Sequence, residues 1–424
     1  MRSTAQSPNI FDTAPIVDVD SHVSEPPDLW TSRMSKQKWG DQIPHLEFDP
    51  QLGMKRWRVG KYLLTPEAKL AMAGWTDYPP AHPPTLEQAD RGSWDPQARL
   101  KRMDEYGIYA QVLYPNVIAF APEAFISLPD PNLSLECVSA YNDFVVDFAK
   151  ADPNRLLPIM SLPFWDVEAS EREAVRAAKN GHKGVLFAAH YAPVGLPPIW
   201  DSRWDRLLHV IEDLGLSINF HIGFGTFNLD EVKDRANART GGEHTRLTSV
   251  GMLDNAHAIA DVICTGLCAR FPKLNFVSVE SGAGWLLYML ESLDWHWKAY
   301  GGLRDHRDRE LPSFYFRRQI FGSFWYENAA ARAVAENLAD NLMFETDFPH
   351  PTSLSPGPAS PAGRPRDMVE AALTGLPDEV IGKILWKNAA KLYGVNMPTA
   401  FAAGSTTRTA PKLDARSASE VDRS

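Results

Sequence analysis

Ile16-Val17-Asp18-Val19-Asp20-Ser21-His22-Val23-Ser24-Glu25 is the stretch on which the reading of this chain turns. It opens as a strand, because Ile16, Val17 and Val19 are β-branched and suit a buried sheet. It closes on polar groups. Alternate residues of a strand face the same way, so Asp20 and His22 project together from its end. A carboxylate beside an imidazole makes half of a divalent-metal site. The same residues also suit a capping aspartate followed by a surface histidine, so the rest of the chain must decide.

Working outward, the rhythm after this strand is lost from about residue 26 to 94. That segment holds Trp30, Trp39, Trp57 and Trp75 and a run of prolines. It reads as an insertion, either a lid over an apolar ligand or a cap packed on the body of the fold. From Pro96 onward strands and helices alternate. Strands are expected at 110–115, 156–161, 183–188, 216–220, 274–279, 320–325 and 342–345. The helices between them start at Gln97, Leu133, Val167, Asp201, Leu253, Gly284 and Ala329. Residues 223–249 read as a polar, Gly-rich loop, and further helical stretches lie near Asp367–Leu373 and Pro377–Leu392. Eight strand–helix units predict an α/β fold, a closed (β/α)8 TIM barrel with a long insertion after strand 1. The barrel spans 14–395, preceded by an arm (1–13) and followed by a disordered tail (396–424). An open doubly wound sheet is the rival, but no GxGxxG follows the first strand.

Composition narrows the function. The 424 residues are 44% hydrophobic, ample for a core, and a net charge of −10 argues against nucleic-acid or anionic-membrane partners. Three cysteines fit a reducing compartment without a disulfide framework. Neither a secretory h-region nor a membrane-length apolar run is visible, so a cytoplasmic protein is expected.

Barrel active sites lie at the C-terminal ends of the strands. Those ends carry Asp20 and His22 (strand 1), His190 (strand 4), His221 (strand 5), Glu280 (strand 6) and Asp347 (strand 8). Metal-ligand types therefore recur where the fold would gather them. Three motifs, DVDSHVSE at 18–25, His221 in NFHIG and ETDFPHP at 345–351, resemble the amidohydrolase superfamily. The resemblance is to its amidohydrolase-related branch, which includes aminocarboxymuconate-semialdehyde decarboxylase and the resorcylate-type decarboxylases, and it covers about residues 14–395.

The resemblance implies a divalent metal on Asp20, His22, His221 and Asp347, with zinc expected first and manganese or iron open. It implies a hydrolase or carboxy-lyase acting on a small organic acid or its derivative. No lysine follows strand 4, so a carbamylated-lysine two-metal site is not expected. The branch's decarboxylases carry a histidine at the end of strand 6, where this chain has Glu280-Ser-Gly-Ala-Gly-Trp. Glu280, with Glu25, adds carboxylates that can hold a second metal. A dinuclear non-haem iron or iron/manganese oxygenase is therefore one alternative, and an inactive partner subunit a second. Asp347, Glu280, His190 and His350 are the candidate catalytic groups. Asp18 is expected to brace the strand end and Glu345 to support a ligand histidine. A small-molecule substrate and a homodimer or higher oligomer complete the expectation.

Overall fold

A computed structural model describes residues 9–224 and 240–398. Its barrel strands are β1 (Val17–His22), β5 (Ala110–Tyr114), β6 (Leu156–Met160), β7 (Gly184–Phe187), β8 (Ser217–His221), β9 (Asn275–Val279), β10 (Ile320–Phe324) and β11 (Leu342–Phe344). They pair in parallel and in sequence, and β1 closes the ring by pairing with both β5 and β11. Nearly every strand residue is buried, as both faces of a helix-covered parallel sheet require. The expected eight-stranded barrel is thus present.

Local signals set the helical shell. In helix Pro96–Tyr106 the Asp95 side chain accepts from Ala98 N at the start, and Gly107 ends it at φ +70°. A Cβ at Gly107 would fall 1.9 Å from Arg366 Nε, so conformation and space both call for glycine there. Helix Pro131–Ala149, with Pro at its first turn, buries Leu133, Val138, Phe144 and eight further residues against the barrel.

The segment after β1 is a cap. It contains an antiparallel sheet of β2 (His45–Asp49), β3 (Met54–Val59) and β4 (Tyr62–Pro66). Trp30, Trp39 and Trp57 are buried, Trp30 packs edge-on against Trp57 at 5.1 Å, and its Nε1 donates to Cys137 O on the shell. Met72 N and Ala73 N donate to Pro349 O, so the cap holds the loop that follows β11.

Three expectations change. Part of the expected loop at 223–249 is a helix, Gly241–Gly251, started by a reciprocal Thr240–Glu243 capping box, while 225–239 lie outside the described residues. The single helix expected from Leu253 onward divides at Gly266, whose φ is +89°, into Asp254–Cys264 and Leu267–Arg270. The stretch at 377–392 carries a π-helical turn over Lys383–Lys387. Of the expected tail, residues 399–424 lie outside the described residues. Among the described residues no helix is long and apolar enough to cross a membrane.

Candidate metal centre

The strands deliver their terminal side chains to one buried point. His22, the last residue of β1, and His221, the last of β8, bring their Nε2 atoms to 3.0 Å from each other. Each imidazole is fixed from behind. His22 Nδ1 lies 3.1 Å from Pro115 O, and His221 Nδ1 lies 2.8 Å from Ile222 O. A carbonyl only accepts, so both Nδ1 atoms carry hydrogen and both Nε2 atoms point inward, where a metal would take their lone pairs in place of any second proton.

Carboxylates surround the two nitrogens. Asp20 Oδ1 lies 3.6 Å from His22 Nε2 and 3.5 Å from His221 Nε2. Asp347 Oδ1 lies 3.7 Å from His22 Nε2, and Glu280 Oε2 lies 3.5 Å from His221 Nε2. Ligand-capable atoms of Asp20, His22, His221 and Glu280 fall within 4.8 Å of one another, as do those of His22, Glu280, Asp347 and His350. Both Asp20 oxygens and Asp347 Oδ1 are buried without a hydrogen-bond donor. Such orphaned carboxylate oxygens facing imidazole lone pairs are costly unless a cation joins them. This donor set therefore fits a divalent metal.

Electrostatics agree. Burial and the neighbouring His350 and His221 hold the His22 pKa well below the usual imidazole range. Burial alone would lower His221 too, but the Asp20 carboxylate, and after it Glu280, lifts it to about 9. Without a metal the proton shared by the two rings therefore sits on His221. Burial, and next the Asp20 charge, push Asp347 and Glu345 well above the ordinary carboxylate range.

Glu280 and Asp347 share a backbone property. They are the two described non-glycine residues at positive φ, 53° and 57°. Glu280 follows directly on β9 and Asp347 stands three residues past the end of β11, and the left-handed turn at each aims its carboxylate across the barrel mouth. The turn at Asp347 is tied to the first strand: Asp347 N donates to Asp20 O, and His22 N donates to Phe348 O. Thr352 Oγ1 donates to Asp347 Oδ2.

Asp18 braces this junction as expected. It accepts from Thr346 N and Oγ1, Gln111 Nε2 and Asp20 N, while burial pushes its pKa up to about 7 against those donors. Glu345 departs from expectation. Both ligand-type histidines lean on carbonyls, and Glu345 Oε2 instead accepts from Glu280 N, supporting the positive-φ turn.

His350 is drawn in. Its ring stacks on His22 at 3.7 Å, its Nδ1 lies 3.0 Å from Asp347 Oδ1, and its Nε2 donates to Asn116 Oδ1 at 2.7 Å. Burial holds its pKa at about 3. Glu25 and His190 are not brought to the cluster. Glu25 Oε1 instead accepts from Asn116 N and Val117 N, and half-buried His190 has its ring 5.9 Å from that of His257.

Two supporting residues escaped the sequence reading. Asn116 joins His350 to Val23 O and to Glu25. Arg99 is fully buried, donates to His22 O and Gly92 O, and stands 4.6 Å over the Phe348 ring. Arg99 and Met103 are the buried residues of that helix, and Leu100 packs half-buried against the core. The rings of Tyr114 and Phe120 wall the site, 5.1 and 5.7 Å from His221.

The amidohydrolase family model matches residues 17–395. The chain belongs to the amidohydrolase family. It is 24% identical over 277 residues to gamma-resorcylate decarboxylase from Rhizobium radiobacter, covering 59% of this chain and 76% of that protein. An amidohydrolase from Mycobacterium avium subsp. paratuberculosis K-10 superposes with a TM-score of 0.72 at 21% identity, over 91% of this chain and 99% of that one. Dihydroxybenzoic acid decarboxylase from Polaromonas sp. JS666, crystallised with manganese and the inhibitor 2-nitroresorcinol, gives 0.56 at 16% identity, over 91% and 98%.

Proposed function

We propose that this amidohydrolase-family enzyme is a metal-dependent carboxy-lyase that removes CO2 from a small aromatic acid. The observation that carries the reading is the pair of inward imidazole Nε2 atoms 3.0 Å apart, faced by buried carboxylate oxygens of Asp20 and Asp347 without a hydrogen-bond partner. His22, His221, Asp20 and Asp347 would hold the ion, with Glu280 at its edge. A bound divalent ion supplies a Lewis acid for a substrate carboxylate and a neighbouring oxygen. In decarboxylation the C–CO2 bond breaks, its electron pair stays on the ring carbon, and that carbon takes a proton. His350 and Asp347, 3.0 Å apart, form the pair that passes this proton. Phe120 and Tyr114 exclude water and offer ring faces to an aromatic substrate.

The decarboxylase relatives favour this reading over the dinuclear oxygenase, and the complete buried ligand set speaks against an inactive partner subunit. An oxygen-rich set with two imidazoles suits manganese as well as zinc, and manganese is the ion of the Polaromonas crystal. A soluble homodimer in the cytoplasm is part of the proposal. The test is metal analysis of protein purified without added metal, followed by CO2 release from hydroxybenzoic acids. About one manganese or zinc per chain and metal-dependent CO2 release are expected. Two irons per chain with O2 consumption would overturn the reading.

A further inference from the structure

Asn116 stands at the head of the single helical turn Val117–Phe120. An asparagine there ordinarily turns its side chain back to accept from the open backbone N–H groups of the first turn. Here it makes no such bond. Its Nδ2 donates to Val23 O at 3.1 Å, and its Oδ1 accepts from His350 Nε2 at 2.7 Å. Glu25 serves the turn instead: its Oε1 accepts from Asn116 N at 2.8 Å and from Val117 N at 2.9 Å. Glu25 is buried, and burial pushes its pKa up to about 7 against these donors.

We infer that Glu25 is a positioning residue: it caps the turn in place of Asn116 and so leaves the Asn116 amide to orient His350. The role rests on the carboxy-lyase reading above only in that His350 moves the proton. Glu25 itself touches neither the ligand set nor the substrate space. It acts three residues past His22, from the loop that leaves the first strand, on the loop that leaves the second.

The amide it leaves in place fixes a tautomer. Val23 O only accepts, so Asn116 Nδ2 faces it and Oδ1 is left for His350. The ring hydrogen of His350 therefore lies on Nε2, and its Nδ1 lone pair faces Asp347 Oδ1 at 3.0 Å. Nδ1 is the nitrogen that exchanges a proton with Asp347. Val117, Ile118 and Ala119 are buried, so core packing keeps the turn and its Phe120 wall in place without Glu25. What Glu25 controls is the direction of the Asn116 side chain. Once Glu25 is gone, the open N–H groups draw Oδ1 back to the turn and His350 loses its acceptor. Glutamine at position 25 would still offer an oxygen to the same two N–H groups.

The test is a double-mutant cycle on the metal-loaded, full-length enzyme. Glu25→Leu should lower kcat by about 10–100-fold, with metal content and KM nearly unchanged. Glu25→Gln should stay within about threefold of wild type, because the two hydrogen bonds survive. Since Glu25 acts through Asn116, Glu25→Leu/Asn116→Leu should fall no further than the worse single variant. Should Glu25→Leu fail to fold, Glu25→Met, which keeps the side chain's length with only a weak acceptor, takes its place in the cycle. A second readout needs no turnover. Nitrogen NMR of protein labelled at histidine should place the His350 hydrogen on Nε2 in wild type and Glu25→Gln, and spread it over both ring nitrogens in Glu25→Leu. Wild-type kcat in Glu25→Leu, losses that multiply in the double variant, Glu25→Gln as slow as Glu25→Leu, or an unchanged His350 tautomer each overturns the inference. If the wild type releases CO2 from no hydroxybenzoic acid, the carboxy-lyase reading fails, and the His350 spectrum alone decides the role of Glu25.

Discussion

Two halves of the metal centre are held in opposite ways. His22 and His221 close regular strands, and each leans its outer ring nitrogen on a carbonyl. Glu280 and Asp347 stand one or a few residues past their strands, at positive φ, in turns held by Glu345 and by the first strand. One half uses the ordinary pleat of a sheet. The other half accepts backbone strain of about 1–3 kcal/mol per residue to aim a carboxylate. The difference points to a division of labour, with regular backbone presenting the imidazoles and strained backbone aiming the carboxylates that reach both the ion's edge and the substrate.

Breaking the regular half should have the largest effect. In His22→Ala one of about four ligands is lost, which removes roughly 3 kcal/mol of metal affinity, about 10²-fold, and turnover with it. Mass spectrometry of the purified variant checks this. Full metal occupancy there would remove His22 from the ligand set.

The strained half should respond differently. Asn116→Leu leaves all the ion-facing atoms in place but removes the acceptor that holds His350 Nε2. Turnover should fall about 10–100-fold with metal content and KM nearly unchanged. Loss of metal in this variant would place Asn116 with the regular half instead.

The regular half also predicts a pH dependence. A metal must displace the proton of His221, whose pKa is raised to about 9. Apparent metal affinity should therefore climb about tenfold or more per pH unit from about pH 6.5 to 9, then level off. The sign for stability is the reverse. A histidine pKa raised by folding contributes stability that is complete below its unfolded value and is lost as pH rises through about 9. Metal-free protein should lose this contribution over the window in which metal binding gains. A flat binding curve across that window would show that His221 carries no such proton.

This same division explains what the sequence disclosed. Strand ends are legible because apolar runs stop at them, so Asp20, His22 and His221 stood out, and Asp18 was correctly read as a brace. Positive φ at Glu280 and Asp347 leaves no trace when the residue is not glycine. Glu345 was therefore matched to a histidine when its partner is the backbone of Glu280. Arg99 was hidden by its charge, although it lies four residues before buried Met103 on the same helical face. The cap was read as aperiodic because its strands are half-buried and interleave charged with apolar residues, so no apolar run marks them. Gly60-Lys61, between β3 and β4, is the two-residue hairpin signal that would have found them.

The smallest effect is the most direct measure of the difference between the halves. At an ordinary position glycine is less stable than alanine by about 0.5–1 kcal/mol, because it loses more freedom on folding. At position 280, φ of +53° should invert that order. Glu280→Ala and Glu280→Gly both delete the carboxylate, so their difference isolates the backbone. Alanine must keep the left-handed conformation at about 1–2 kcal/mol, and glycine adopts it without that cost. Glu280→Gly should therefore be the more stable of the pair by about 1 kcal/mol, read as the midpoint of urea unfolding. The same pair at Asp20, inside β1, should show alanine ahead. If alanine leads at both positions, Glu280 is not strained and the two halves of the site are held alike.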